Sequence, residues 1–210
     1  NHQRLKDLFT GLSSREVGTI IDDLDTDDAI ALLEDIPQED RREILRHVNT
    51  AASTLVEEGL TYPEESAGRL MQRHAIAVPQ DWTVGKTIDY LREMRDQLPE
   101  QLYDLFLVDD RHQVVGQVPT GQILRNTREQ KIADIAREAP HLVPAHTDQE
   151  EVAALFKRVT LTSVPVVDAE ERLIGVITVD DIVSVVEAEA NEDLLRLGGV
   201  GEDDLSSGTW

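Results

Sequence analysis

The chain has 210 residues, 40% of them hydrophobic, which is enough for one large or two to three small globular domains. Its formal net charge of −22 excludes a nucleic-acid binder, because the phosphate backbone would be repelled. Zero cysteines exclude disulfides, thiol catalysis and thiolate zinc sites, and leave oxygen-rich metal sites as the candidates.

No apolar run approaches the roughly 20 residues that a spanning helix needs, and no basic-then-apolar leader is present, so the expected compartment is cytoplasmic. The sequence opens on Asn1 within a helical pattern, Leu5–Leu12, and stops at Trp210, as expected of a piece of a longer protein. The charge is uneven. Residues 1–68 carry 16 acidic against 6 basic residues, 69–134 carry 10 against 9, and 135–210 carry 16 against 5. If the two acidic lobes meet in the fold, cations must screen or bridge them. The alternative is a solvated acidic surface that aids solubility.

From the N-terminus, a twelve-residue repeat runs Leu12-Ser-Ser-Arg-Glu16, Leu24-Asp-Thr-Asp-Asp28 and Ile36-Pro-Gln-Glu-Asp40. Ile20 and Ile21 match Leu32 and Leu33, then Ile44 and Leu45. Each unit opens on a cap-type residue, Ser13, Asp25 or Pro37, so the spacing predicts short stacked helices. Ser13 and Glu16 are spaced as a capping box, and Asp27 and Asp28 sit where a helix dipole favours carboxylates.

A longer repeat fills residues 69–190. Val108 to Ile123, with Gly116, aligns with Val167 to Ile182, with Gly175, at an offset of 59. Val78-Pro79 and Val143-Pro144 end short extended pieces, and Thr83 and Thr147 are expected to open amphipathic helices. Thr147 and Glu150 are spaced as a capping box, with Asp148 in the first helical turn. Leu105–Val108 and Val164–Val167 read as buried strands, Asp109–His112 and Asp168–Arg172 as hairpin turns. Gly116 and Gly175 are expected where backbone comes close to another group.

This tandem pattern resembles a pair of CBS domains. Gly175-Val-Ile-Thr178-Val-Asp-Asp181 fits their G-h-h-T/S-x-x-D motif, h being apolar. The resemblance implies that Thr178 meets phosphate and Asp181 the ribose hydroxyls of a nucleotide such as ATP or AMP. In the first repeat those places hold Pro119, which lacks hydroxyl and backbone donor, and Gln122, which lacks charge.

Around the pair, Tyr62-Pro-Glu-Glu-Ser-Ala-Gly-Arg-Leu-Met71, Thr147-Asp-Gln-Glu-Glu-Val152 and Ala190-Asn-Glu-Asp-Leu-Leu-Arg-Leu-Gly-Gly-Val200 resemble the MgtE family of magnesium transporters. The fold class implied is α+β: an all-α superhelical N-terminal domain followed by the tandem CBS pair. The divisions expected are a helical domain at 1–60, a linker at 61–68, CBS domains at 69–134 and 135–190, and an exit segment at 191–210 running towards an absent membrane domain.

The family resemblance further implies a homodimer on the cytoplasmic face of the membrane. Its acidic surfaces bind Mg2+, stiffen and hold the pore closed. The Mg2+ positions it carries over are Asp27, Asp148, Glu150, Asp181, Glu189, Glu192 and Asp193, the last three sharing one helical face. Ala31 and Thr160 stand where relatives offer further carboxylates. The apolar helix positions Leu91, Met94, Leu155 and Phe156 are expected at the dimer contact. The six histidines form no HExxH or evident triad, so no enzyme is expected; the competing reading is an adenosine-nucleotide-sensing CBS module.

Overall fold

The structure, a computed structural model, describes residues 11–24, 26–34, 36–99, 101–137 and 141–197, with residues 188, 189 and 191–197 described by backbone alone. The expectations placed on residues 1–10, on Asp25 and on the segment beyond 197 lie outside the described residues.

The twelve-residue repeat becomes three helices that start twelve residues apart: α1 (Ser14–Asp22), α2 (Thr26–Leu33) and α3 (Gln38–Leu45). Ser13 caps α1 as a capping box, its Oγ accepting from Glu16 N at 3.4 Å while Glu16 Oε2 accepts from Ser13 N at 2.8 Å. Those bonds from Ser13 hold the Glu16 carboxyl below its ordinary range. A fourth helix, α4 (Thr50–Gly59), is capped by Asn49, and Asp22 Oδ1 accepts from Asn49 N at 2.8 Å, tying the end of α1 to the start of α4. The equivalent positions Ile21, Leu33 and Leu45 all enter one core with Ile30 and Val56, while Ile20 stays exposed.

The second repeat builds two like sheets. β1 (Ala77–Pro79) pairs parallel with β2 (Asp104–Val108), which pairs antiparallel with β3 (Val114–Pro119). Likewise β4 (Val143–Pro144), β5 (Ser163–Val167) and β6 (Leu173–Thr178) form one parallel and one antiparallel pair. Helices α6 (Val84–Glu93) and α7 (Thr120–Arg125) belong to the first sheet, and α8 (Gln149–Val159) and α9 (Val179–Leu197) to the second. The hairpin turns are chemically alike. Asp109 Oδ1 accepts from Arg111 N and Gln113 N at 2.9 Å, and Asp168 Oδ1 from Glu170 N and Arg172 N at 2.9 Å. His112 and Glu171 take positive φ at matching places, with a bulge after Leu107 and after Val166.

The leader of each repeat pairs with the other repeat's sheet: Gln72 bridges Val176 of β6, and Arg137 bridges Gln117 of β3. A short helix, α5 (Ala67–Leu70), and Met71 therefore pack in the core of the second repeat. The divisions expected at 68/69 and 134/135 fall in these crossing segments. Gly175 makes the crossing possible, since a Cβ there would lie 2.5 Å from Met71 Sδ and 2.8 Å from Gln72 O. Phe106, Val114, Val167, Leu173 and Val176 join the two sheets in a shared apolar seam.

Two local expectations are corrected. The Thr147–Glu150 capping box does not form: Asp148 is the cap of α8, its Oδ1 accepting from Glu150 N at 2.8 Å. Thr147 is already committed to a turn, its N–H donating to Pro144 O and its carbonyl accepting from Ala67 N at 2.7 Å. Phe156 is not on an exposed face; it is buried in the core of the second repeat, where Leu155 also packs, while Leu91 and Met94 pack against the first.

Candidate acidic cleft between the helical layer and the second repeat

Residues 61–72 decide how the two acidic lobes meet. Gln149 N donates to Glu65 O, Ala67 N to Thr147 O and Gly68 N to Ala145 O, all at 2.7 Å, so this junction is stitched to the second repeat. Arg69 reaches back, its Nη2 donating to Tyr62 O at 2.9 Å and its Nη1 lying 3.9 Å from Glu34. Arg73, partly buried like Arg69, lies 3.9 Å from Glu58 and stacks over Tyr62 at 5.3 Å. These contacts set α2 opposite the start of α9.

Between them lies a cleft of about 610 Å³. Its wall carries the carboxylates of Asp27, Asp28, Glu34, Glu64, Glu65, Asp180 and Asp181, and Arg69 is the one basic side chain among the described lining. Like charges on facing walls raise the energy of the closed arrangement unless a cation bridges or screens them. No three carboxylate or histidine side chains among the described residues converge as a direct coordination shell. The carboxylates of the cleft wall offer oxygen donors only, the kind that a hard divalent cation such as Mg2+ takes, directly or through its hydration shell.

Of the seven Mg2+ positions expected, Asp27 and Asp181 line this cleft. Asp148 and Glu150 are not among its lining residues; they flank Gln149, which does line it. Glu189, Glu192 and Asp193 lie on α9, and their side chains are outside the described residues. Ala31 lines the cleft, whereas Thr160 ends α8 in the left-handed conformation at φ 52°. Glu34, Glu64, Glu65 and Asp180 were not singled out by the sequence; Glu34 follows Asp27 by seven residues, the spacing of one helical face.

Asp181 is heavily committed. Its Oδ2 accepts from Thr178 N at 2.7 Å and Thr178 Oγ1 at 2.8 Å, and Gln72 Nε2 donates to Oδ1 at 3.1 Å and Oδ2 at 3.2 Å. Burial pushes its carboxyl above the ordinary range despite the Thr178 and Gln72 bonds. Burial, Asp180 and Asp181 likewise raise the Tyr103 phenol. Behind this cluster is a cavity of about 20 Å³ lined by Gln72, Tyr103, Asp104, Ser163 and Thr178 among others. Asp104 is 4% exposed, and its Oδ2 accepts from Thr162 Oγ1 at 2.8 Å and Ser163 Oγ at 2.7 Å.

The two groups expected to meet phosphate and ribose are thus bonded to each other and to Gln72, and the adjoining space is the size of one water.

Comparison with known proteins follows the same division. Residues 1–65 match the profile of the MgtE intracellular N domain, and residues 132–188 that of the CBS domain. The magnesium transporter MgtE of Bacillus subtilis (strain 168) is 31% identical over 180 residues, 86% of this chain and 40% of that protein. Its counterpart from Thermus thermophilus is 37% identical over 144 residues, 69% of this chain and 32% of that protein. The chain therefore spans well under half the length of these relatives. The crystal structure of the cytosolic domain of the Mg2+ channel MgtE in complex with ATP superposes with a TM-score of 0.79 at 28% identity, over 88% of this chain and 75% of that one. With its helical layer ahead of two CBS sheets, and these matches along its length, the chain belongs to the MgtE family.

Proposed function

We propose that this chain is the cytoplasmic Mg2+-sensing region of a magnesium transporter or channel, and that Mg2+ bound in the acidic cleft draws the helical layer onto the second CBS repeat and favours the closed pore. One observation carries this: both acidic lobes contribute carboxylates to a single cleft with one basic neighbour, Arg69, among its described lining. Asp27, Asp28, Glu34, Glu64, Glu65 and Asp180 would receive the hydrated ion; Asp181, already accepting from Thr178 and Gln72, would contribute mainly charge. Glu189, Glu192 and Asp193, further along α9, would add to the acidic set, and Asp148 and Glu150 flank Gln149 of the cleft lining.

The assembly would be a homodimer, supported by apolar side chains left exposed on the CBS units, Leu124 at 77% and Val183 at 53%. ATP, which the solved relative holds, would have to displace the Gln72 amide, which donates to Asp181 and lies 3.4 Å from Thr178 Oγ1.

The test is thermal unfolding of the chain in MgCl2 against NaCl at matched ionic strength. A site filled to ten times its Kd adds about 1.4 kcal/mol, or roughly 3–6 °C in a chain of this size. A melting temperature that moves no further with MgCl2 than with NaCl would defeat the sensor reading.

A further inference from the structure

Arg69 carries a charge opposite to the carboxylates around it. It sits on α5, whose residues Ala67 and Gly68 are hydrogen-bonded to Thr147 and Ala145 of the second repeat, and it is the one basic side chain among the described lining of the acidic cleft. From that base the side chain reaches back to the end of α4, its Nη2 donating to Tyr62 O at 2.9 Å and to Leu60 O at 3.5 Å. Only 13% of the side chain is exposed, so its charge is screened less than one in bulk water.

Its spacing from the carboxylates decides how that charge acts. Arg69 Nη1 lies 3.9 Å from Glu34 Oε2, within ion-pair range but beyond hydrogen-bond length, and Nε has no hydrogen-bond partner among the described residues. The two carbonyls fix where the guanidinium stands, and Glu34 feels it chiefly as a charge. A guanidinium does not lose its proton in a protein, so this cation is permanent. A divalent ion entering the cleft meets carboxylates that already have one positive charge among them, and the two cations repel. Arg69 therefore has two opposed effects: it relieves repulsion between the acidic walls when no ion is present, and it raises the ion concentration needed to fill the cleft.

We propose that Arg69 is a tethered competitor of Mg2+ that sets the concentration at which the acidic cleft fills. The inference rests on the Mg2+-sensing reading above and adds to it the residue that fixes the threshold. Neutralising Arg69 leaves the carboxylates in place and removes the competing charge, so the cleft fills at lower Mg2+.

The experiment is equilibrium dialysis of the native chain, Arg69→Gln, Arg69→Lys and Arg42→Gln against MgCl2, at ionic strength held constant with NaCl, reading the free Mg2+ at half-saturation. Gln and Lys both lose the planar fork that serves the two carbonyls, and only Gln loses the charge, so their difference separates charge from packing. Arg42 is exposed on α3 and is not among the described lining of the cleft, so Arg42→Gln makes the same change of net charge elsewhere. Near-UV circular dichroism confirms folding, and Arg69→Met, also neutral, serves if Arg69→Gln does not fold. Half-saturation of the neutral Arg69 variant is expected at a Mg2+ concentration at least about threefold below that of the native chain and of Arg69→Lys, with Arg42→Gln within about 1.5-fold of native. Half-saturation of the neutral variant at or above the native value, an equal shift in Arg69→Lys, or an equal shift in Arg42→Gln would each overturn the proposal and leave Mg2+ sensing standing. A native chain that takes up no Mg2+ would instead defeat the sensing reading, and the proposal with it.

Discussion

Asp109 and Asp168 hold the same place in hairpins fifty-nine residues apart, and each accepts two backbone N–H bonds through Oδ1. They differ in what the last turn residue adds. Arg172 donates to Asp168 Oδ2 from Nε at 2.8 Å, and its Nη2 lies 2.7 Å from the same oxygen, where the first repeat has Gln113. Burial alone would raise the Asp168 carboxyl, but the bonds from Arg172 and from Glu170 N outweigh it and hold it below the ordinary range. A depressed folded pKa means stability that is present above the unfolded aspartate range, near pH 4, and lost as pH falls through the lowered folded value. The ion pair is half-exposed and contributes little by itself; the turn bonds contribute most. Asp168→Ala and Asp109→Ala should therefore each cost about 1–2 kcal/mol at pH 7, Asp168→Ala the more by about 0.5 kcal/mol, since only it loses a guanidinium partner. Urea titrations at pH 7 and pH 3 check this. A penalty for Asp168→Ala that is as large at pH 3 as at pH 7 would show that its charge is irrelevant.

At the scale of elements, much was legible because the deciding chemistry is local. Ser13 with Glu16, Thr83 with Lys86 N, and the paired turn aspartates are all bonds within four residues, so spacing alone placed α1, α6 and both hairpins. What escaped the sequence is set by distant partners. Thr147 lost its capping role to Asp148 because residues 65–68 bind that turn, and the leader of each repeat crosses to the other sheet through bridges no local pattern announces. The glycines mark the asymmetry of that crossing. A Cβ at Gly175 would meet the Gln72 carbonyl, which is backbone and cannot yield, whereas one at Gly116 would meet Ala136 Cβ and Leu107 Cδ1 at 3.3 Å. Gly175→Ala should thus cost about 1–3 kcal/mol and Gly116→Ala less than about 1 kcal/mol. Equal midpoints for the two variants in urea would contradict the asymmetry, and adding Met71→Ala should not restore Gly175→Ala, because the carbonyl contact remains.

For the whole molecule the governing quantity is charge, −22 in total, divided between two lobes that the fold sets face to face. Asp27 and Asp181, which line that cleft, were reached through the family resemblance, the local pattern marking Asp27 only as a carboxylate at a helix start; Glu64, Glu65 and Asp180 were not reached, because a surface carboxylate carries no local signature of what it will face. The cleft implies two separable effects. Without divalent ions, repulsion across it destabilises the closed arrangement, and monovalent salt relieves this only by shortening the Debye length. A Mg2+ ion bridging the walls, as proposed, would add a site-specific gain on top. Asp28→Asn, Glu64→Gln and Asp180→Asn, combined in one variant, remove three charges from the cleft wall. Glu39→Gln, Asp40→Asn and Glu43→Gln remove three exposed charges from α3, none of which lines the cleft. The cleft variant should melt about 2–4 °C above the native chain in low salt without Mg2+, corresponding to about 1 kcal/mol of relieved repulsion. It should also lose most of the Mg2+ increment over matched NaCl, while the α3 variant stays within about 0.5 kcal/mol of native and keeps the increment. Glu189→Ala, Glu192→Ala and Asp193→Ala together divide the remaining possibilities: a lost increment places the ion along α9, a retained one places it at the cleft wall. If the cleft and α3 variants behave alike, net charge rather than the cleft governs the response, and the acidic lobes act only as a solvated surface.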